Sequence, residues 1–193
     1  SRLHQAARPY LRAASLSAQV VAQIAERGGR SSIVLSVHEP KVDYVPETSV
    51  GCNFPLHCGS KGHVLLAWAD PAFVDDYLSG PLEALTPYTC TDPDVLRATL
   101  DRVRRDGYAV TDRDVRLFSS SVAAPVFGPQ DQLLGALTLV CRPERFQVLR
   151  RRLIRLVTST AEGISRAVRA RYPHTQDGLM APLSVLTRAG SAT

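Results

Sequence analysis

Residues 120–141 read SSVAAPVFGPQDQLLGALTLVC. Two apolar runs, 120–128 and 133–141, flank Gly128-Pro129-Gln130-Asp131, a composition that closes a tight turn between strands. The link is far too short for a crossover helix, so the two strands run antiparallel. A third strand-like run, YAVT at 108–111, precedes them.

Helices bracket this group. The segment 91–107, TDPDVLRATLDRVRRDG, carries a complete set of helix signals. Asp92 is placed to cap, Pro93 suits the first helical position, Asp94 complements the dipole and Asp106-Gly107 stops the run. Its expected buried stripe is Val95, Leu96, Leu100 and Val103. After the hairpin, a helix over about 144–171 places Phe146, Leu149, Leu153, Leu156, Val157, Ile164 and Val168 on one face.

Upstream, apolar residues recur at helical spacing over 8–27, ended by Gly28-Gly29, with residues 1–7 set off as a separate approach segment. SSIVLSV (31–37) and VDYVPET (42–48) read as strands, and His63–Trp68 and 71–78 as short helices. From Pro173 onward no periodicity is sustained, so 173–193 is expected to be a flexible tail. Helix, strands, helices, three strands and a closing helix is an α+β order: an antiparallel sheet flanked by helices in one domain.

The four cysteines are too sparse for a disulfide framework, which favours a reducing cytoplasm. No apolar stretch is long enough for a membrane span, and the first residues lack the apolar core of a secretory signal. The net charge of +5 rests almost wholly on arginine, since only Lys41 and Lys61 are lysines. Most of these arginines fall on amphipathic helices, where a solvated outer face is their expected place. No zinc-finger spacing, RNP-like aromatic motif or helix-turn-helix is present, so the chain itself is not expected to bind DNA.

The most chemically loaded stretch is PLHCGSKGHVLL (55–66). Gly59-Ser60-Lys61-Gly62 ahead of a helix could cradle an anion, since the first N–H groups of a helix are unpaired donors at its positive end. Ser60 could equally be only the helix cap. Cys52, His57, Cys58 and His63 offer a metal or redox site, but the spacing C-x4-H-C-x4-H fits no common structural zinc. A Cys58–His63 nucleophile lacks a third group to orient the histidine. Farther along, Ser119 and Ser121 share one face of a strand, and Thr138 on the next strand opposes Leu137 and Leu139. Asp112 and Asp114 could suggest acid–base catalysis, while exposed turn acids are the plainer reading.

Several stretches taken in order resemble one family: VGCNFPLHCGSKGHVLLA (50–67), the Thr86-x-x-Thr89 pair, a helix ending Arg104-x-x-Gly107-Tyr108, an acidic residue, and Ser121-Val-Ala-Ala-Pro-Val. Together they are similar to the effector-binding domain of IclR-type bacterial transcriptional regulators, over roughly residues 3–170. The resemblance implies a GAF/profilin-like fold with a curved, mainly antiparallel sheet. It implies no catalysis and no cofactor. It also implies a homodimer or homotetramer that binds a small organic acid and adjusts DNA binding by a winged helix-turn-helix N-terminal to this chain. Residues 1–7 would then be the remnant of the interdomain linker. It places Phe54, Ser60, Lys61, Thr111, Ser119, Ser121 and Thr138 around the effector, with Asp43 and Pro46 bordering it. The sequence departs from the family pattern in two places: His63 replaces the final lysine of the loop, with Lys61 standing two residues earlier, and Phe118 replaces a glycine. Phe54 and Phe118 are expected as apolar walls.

Overall fold

A computed structural model describes residues 2–41 and 49–173. Asp43, Pro46, the expected strand at 42–48 and all but the first residue of the expected tail lie outside these described residues.

The element order is α1 (Arg2–Ala18), β1 (Val21–Gly28), β2 (Ser31–His38), β3 (Asn53–Pro55), α2 (Gly59–Ala67), α3 (Pro71–Ser79), α4 (Pro93–Asp106), β4 (Ala109–Asp112), β5 (Ser120–Phe127), β6 (Leu133–Cys141) and α5 (Pro143–Arg171). The six strands form one curved antiparallel sheet in the order β3-β2-β1-β6-β5-β4. The β5–β6 hairpin closes as its sequence implies, with the Asp131 N–H donating to Gly128 O and the Gly128 N–H donating to Gln132 O. Its register pairs Ser121 with Val140 and Ala123 with Thr138.

Each face of the sheet carries its own core. On one side α1 and α5 pack Leu11, Phe146, Leu153 and Ile164 against Ile24, Val122, Leu137 and Leu139. On the other, Leu56 and helices α2, α3 and α4 pack over Ala123 and Ala136. β1 and β6 lie in the middle, so side chains of both phases are buried.

That double burial explains the main departure from the sequence reading. Residues 8–27 are not one helix: α1 ends at Ala18 and Val21 begins a strand. Gln19 takes a left-handed conformation (φ 54°) and the Val20 N–H donates to Ser15 O, which closes the helix. A central strand buried on both faces has no polar alternation, and VAQIA satisfies helical and strand periods alike. Residues 2–7 are likewise the first turns of α1, with Leu3, Ala6 and Ala7 buried, rather than a separate segment. Val95 is 52% exposed, because one residue of helix rotation turns it away from the stripe of Leu96, Leu100 and Val103.

Helix α2 begins four residues earlier than expected, inside the glycine-rich stretch, and every residue of it is buried. Gly62 makes this possible: a Cβ there would lie 2.5 Å from Leu56 O, so only glycine lets the first turn sit down on the preceding backbone. Gly62→Ala is therefore expected to destabilise the protein by about 1–3 kcal/mol, the range for overpacking, as read from the midpoint of urea unfolding.

Candidate functional site

Helix α2 points its N-terminus at the sheet. Cys58 occupies the cap position but provides no side-chain hydrogen bond. The missing acceptor comes from across the molecule: the Gly59 N–H donates to Asp114 Oδ2 at 2.7 Å. An anion at that end complements the positive pole of the helix. Gly59 itself holds φ +76°, a left-handed conformation that glycine adopts without strain.

Asp114 is held by the paired threonines. Thr86 Oγ1 donates to Arg113 O and Thr89 Oγ1 donates to Asp114 O, both at 2.6 Å. The Thr89 hydroxyl in turn accepts from the backbone N–H groups of Leu85 and Thr86. The Thr-x-x-Thr stretch is thus a buckle that fixes the 113–114 backbone and aims the Asp114 side chain. Asp114 is buried, not an exposed turn acid. Asp112 takes a different partner, accepting from the Ser120 hydroxyl.

Beneath α2 the first-turn side chains meet the sheet. Ser60 Oγ and Ser121 Oγ lie 2.7 Å apart, and Thr111 Oγ1 is 3.1 Å from Ser121 Oγ. Ser60 therefore reaches the sheet instead of capping its own helix. Lys61 is buried, with Nζ 4.6 Å from the centre of the Phe54 ring. Burial pushes its pKa down to about 8, against the upward pull of Asp114. These groups enclose a cavity of about 30 Å³, lined by Phe54, Lys61, Asp114, Ser119, Ser121 and Thr138, with Gln23 and Arg116 also on its wall. Gln23 Oε1 and Thr138 Oγ1 are buried without a hydrogen-bond partner among the described residues.

Of the residues named from sequence, Phe54, Lys61, Ser119, Ser121 and Thr138 line this cavity, and Ser60 and Thr111 join it through Ser121. Phe118 does not; it is 46% exposed and forms no wall of the cavity. His63 turns the other way and lines a separate cleft with Arg102, Thr99 and Arg150. Gln23, Asp114 and Arg116 were missed. Gln23 lay inside the misread helix, where a strand reading would have shown a buried amide between apolar neighbours.

The metal and nucleophile readings find no converging set of donors among the described residues. His57 Nε2 lies 2.8 Å from Glu83 O, a carbonyl that can only accept, so this nitrogen donates and Nδ1 is left to accept from Tyr77 Oη at 2.8 Å. His63 Nε2 donates to His57 O at 2.9 Å. Burial pushes the Cys58 thiol up to about 12, so it is not a thiolate at neutral pH. Among the described residues, no three His, Cys, Asp or Glu side chains converge as a metal site.

A wider cleft, about 770 Å³, opens between α5 and β5 near Trp68 and Tyr108. Two of its polar side chains are already engaged: Ser165 Oγ donates to Ala161 O and accepts from the Phe127 N–H, and Arg169 holds Gly128 O and Asp131. Two unpaired buried polar atoms, Gln23 Oε1 and Thr138 Oγ1, belong to the wall of the small cavity, whereas none of those found among the described residues belongs to the wide cleft, and the small cavity is the candidate site.

Comparison with known proteins gives a consistent set of likenesses. The profile of the family described as bacterial transcriptional regulator IclR C-terminal matches residues 1–166. The Pca regulon regulatory protein of Pseudomonas putida is 35% identical over 94 residues, 48% of this chain and 32% of that protein. The chain spans less than half the length of this and the next most similar curated relatives. An IclR transcriptional regulator from Silicibacter sp. TM1040 superposes with a TM-score of 0.83 at 27% identity, covering 86% of this chain and 66% of that one. An IclR homologue from Microbacterium hydrocarbonoxydans, solved with 4-hydroxybenzoate, superposes with a TM-score of 0.81 at 26% identity, covering 88% and 69%.

Replacing Asp114 with alanine removes a charged acceptor from a buried N–H and should cost about 1.5–3 kcal/mol of unfolding free energy in denaturant titrations. A loss below about 0.5 kcal/mol would mean that the Gly59 contact does not hold the helix.

Proposed function

Since the chain belongs to the IclR family of bacterial transcriptional regulators by its C-terminal domain, a family of regulators and not of enzymes, we propose that it is the effector sensor of such a regulator. A small organic acid, aromatic or short aliphatic, binds between the sheet and the β3–α2 segment. Lys61, the Ser60 and Ser121 hydroxyls and the free N–H groups in the first turn of α2 take its carboxylate. DNA is contacted by a winged helix-turn-helix N-terminal to this chain, in a cytoplasmic homodimer or homotetramer.

One observation carries this reading. A buried cation, three bonded hydroxyls and a helix N-terminus converge on one cavity, with no substrate-cleaving group among them. Such a set holds an anion without transforming it. The Microbacterium neighbour, solved with 4-hydroxybenzoate, supports an aromatic acid as one member of the class.

The cavity also argues for a switch. About 30 Å³ is room for roughly one water, whereas pockets for organic ligands run to about 300 Å³ and more. An acid therefore fits only when the β3–α2 segment withdraws from the sheet. Ligand and closed form exclude one another, and that difference in affinity between two conformations is what a sensor needs to shift an equilibrium.

At an acid concentration of about 100 Kd the melting temperature should rise by on the order of 5–10 °C. Ser121→Phe, which fills the cavity, should abolish the rise while circular dichroism still shows the folded domain. If no carboxylate in a broad aromatic and aliphatic panel raises wild-type melting, the carboxylate reading is wrong.

Lys61 gives the binding a pH dependence. Its folded pKa lies below that of the free side chain, so it loses its proton near pH 8. A carboxylate favours the charged form, so affinity is full below pH 8 and declines above it. Benzoate affinity measured by calorimetry should fall about tenfold from pH 7 to pH 9. In Lys61→Met the profile should be flat over that interval.

A further inference from the structure

We infer that Gln23 and Thr138 form a second recognition point at the floor of the same cavity, which takes a hydroxyl group of the ligand and so selects hydroxy acids over plain acids. This rests on the carboxylate reading above and adds the chemistry of the other end of the molecule.

The argument begins with the sheet. Gln23 on β1 is the direct cross-strand partner of Thr138 on β6, so the two side chains stand side by side on one face. Their neighbours Ala22, Ile24, Leu137 and Leu139 point to the opposite face and enter the α1–α5 core. Central strands buried on both faces are normally apolar throughout. Here one face of the two central strands carries an amide and a hydroxyl, both about 1% exposed and both on the cavity wall.

Each side chain carries one buried oxygen that no group of the chain meets among the described residues. Gln23 Oε1 and Thr138 Oγ1 have no hydrogen-bond partner among the described residues. Buried polar atoms in folded proteins are almost always paired, and those that are not call for a partner from outside the chain. The other polar groups on the wall contrast with this: Ser121 is bonded to Ser60 and Thr111, and Asp114 to the Gly59 N–H.

The donor and acceptor inventory then selects the ligand group. An amide presents an acceptor and donors, and a threonine hydroxyl presents both. A carboxylate only accepts, so it would leave the Gln23 carbonyl oxygen unmatched. An ammonium only donates, so it would suit the Gln23 oxygen but leave the threonine proton unmatched. A hydroxyl both gives and takes a hydrogen bond, and it can do so whichever way the amide is turned. The carboxylate is drawn instead to the α2 side, where Lys61 stands. A single water could bridge the same two groups in the closed form, since about 30 Å³ admits one. A ligand hydroxyl would replace that water on entry.

Two probe pairs test this on the whole chain: 4-hydroxybenzoate against benzoate, and glycolate against acetate, with affinities from calorimetry. In the wild type the hydroxylated member of at least one pair should bind about tenfold more tightly, the yield of two added hydrogen bonds. In Gln23→Leu that ratio should collapse to within about twofold, and Thr138→Val should reduce it. Both variants remove an unpaired buried polar atom, so melting without ligand should hold or rise, which controls for folding. Plain acids binding the wild type as well as their hydroxylated partners would overturn the inference and leave the carboxylate site standing. A hydroxyl preference that survives in both variants would also overturn it and reduce the pair to a resident-water site only. If neither member of either pair binds the wild type, the carboxylate reading fails and this inference fails with it.

Discussion

The site depends on one hydrogen bond, from the Gly59 N–H to the Asp114 carboxylate. Helix α2 is buried along its whole length and has no cap of its own, so its positive end must be met by a group from another segment. Asp114 meets it, and the Thr86 and Thr89 hydroxyls hold Asp114 by its backbone. Three distant stretches, 55–62, 85–89 and 111–121, are thereby tied at one point. The hydroxyl cluster of Ser60, Thr111 and Ser121 forms beside that knot because the same contact sets the height of α2 above the sheet.

The two faces of the sheet do different work. The α1–α5 face is a continuous apolar core, reinforced at its edge by Arg145 donating to Ala18 O and Arg152 donating to Ser17 O. Dense packing of that kind resists small displacements. The α2 face instead leaves polar groups at its centre and a void of about one water. The proposed effector chemistry lies on this second side.

Elements with local signals were legible in the sequence. Asp92, Pro93 and Gly107 fixed α4 to within two residues, and Gly128–Asp131 fixed the β5–β6 hairpin. Where the deciding contact was distant, the letters were silent. VAQIA reads as helix or strand because its surroundings hide both faces, and the glycines of α2 look like a loop until Leu56 O is seen beneath Gly62. The family resemblance supplied Phe54, Lys61, Ser121 and Thr138, but its pattern says nothing of a burial-dependent role such as that of Gln23. Asp114 looked like a turn acid because its partner lies 55 positions away. The departures at Lys61 and His63 separate in space: Lys61 faces the cavity and His63 the opposite cleft, so only the first bears on the proposed ligand.

In the proposed regulator the same geometry would connect the cavity to an upstream module. β1 carries Gln23 on the cavity floor, and α1 ends only two residues before β1 begins. The Val20 N–H is bonded to Ser15 O inside the last turn of α1, which ties the start of the strand to the end of the helix. α1 is also the element to which a DNA-binding module preceding this chain would attach. An acid that wedges α2 away from the sheet loads β1 from one face, while the α1–α5 core holds it on the other. In the proposed regulator such a load on β1 would be passed to α1 through their short joint. A sensor built this way needs no relay of side chains between its pocket and its partner module.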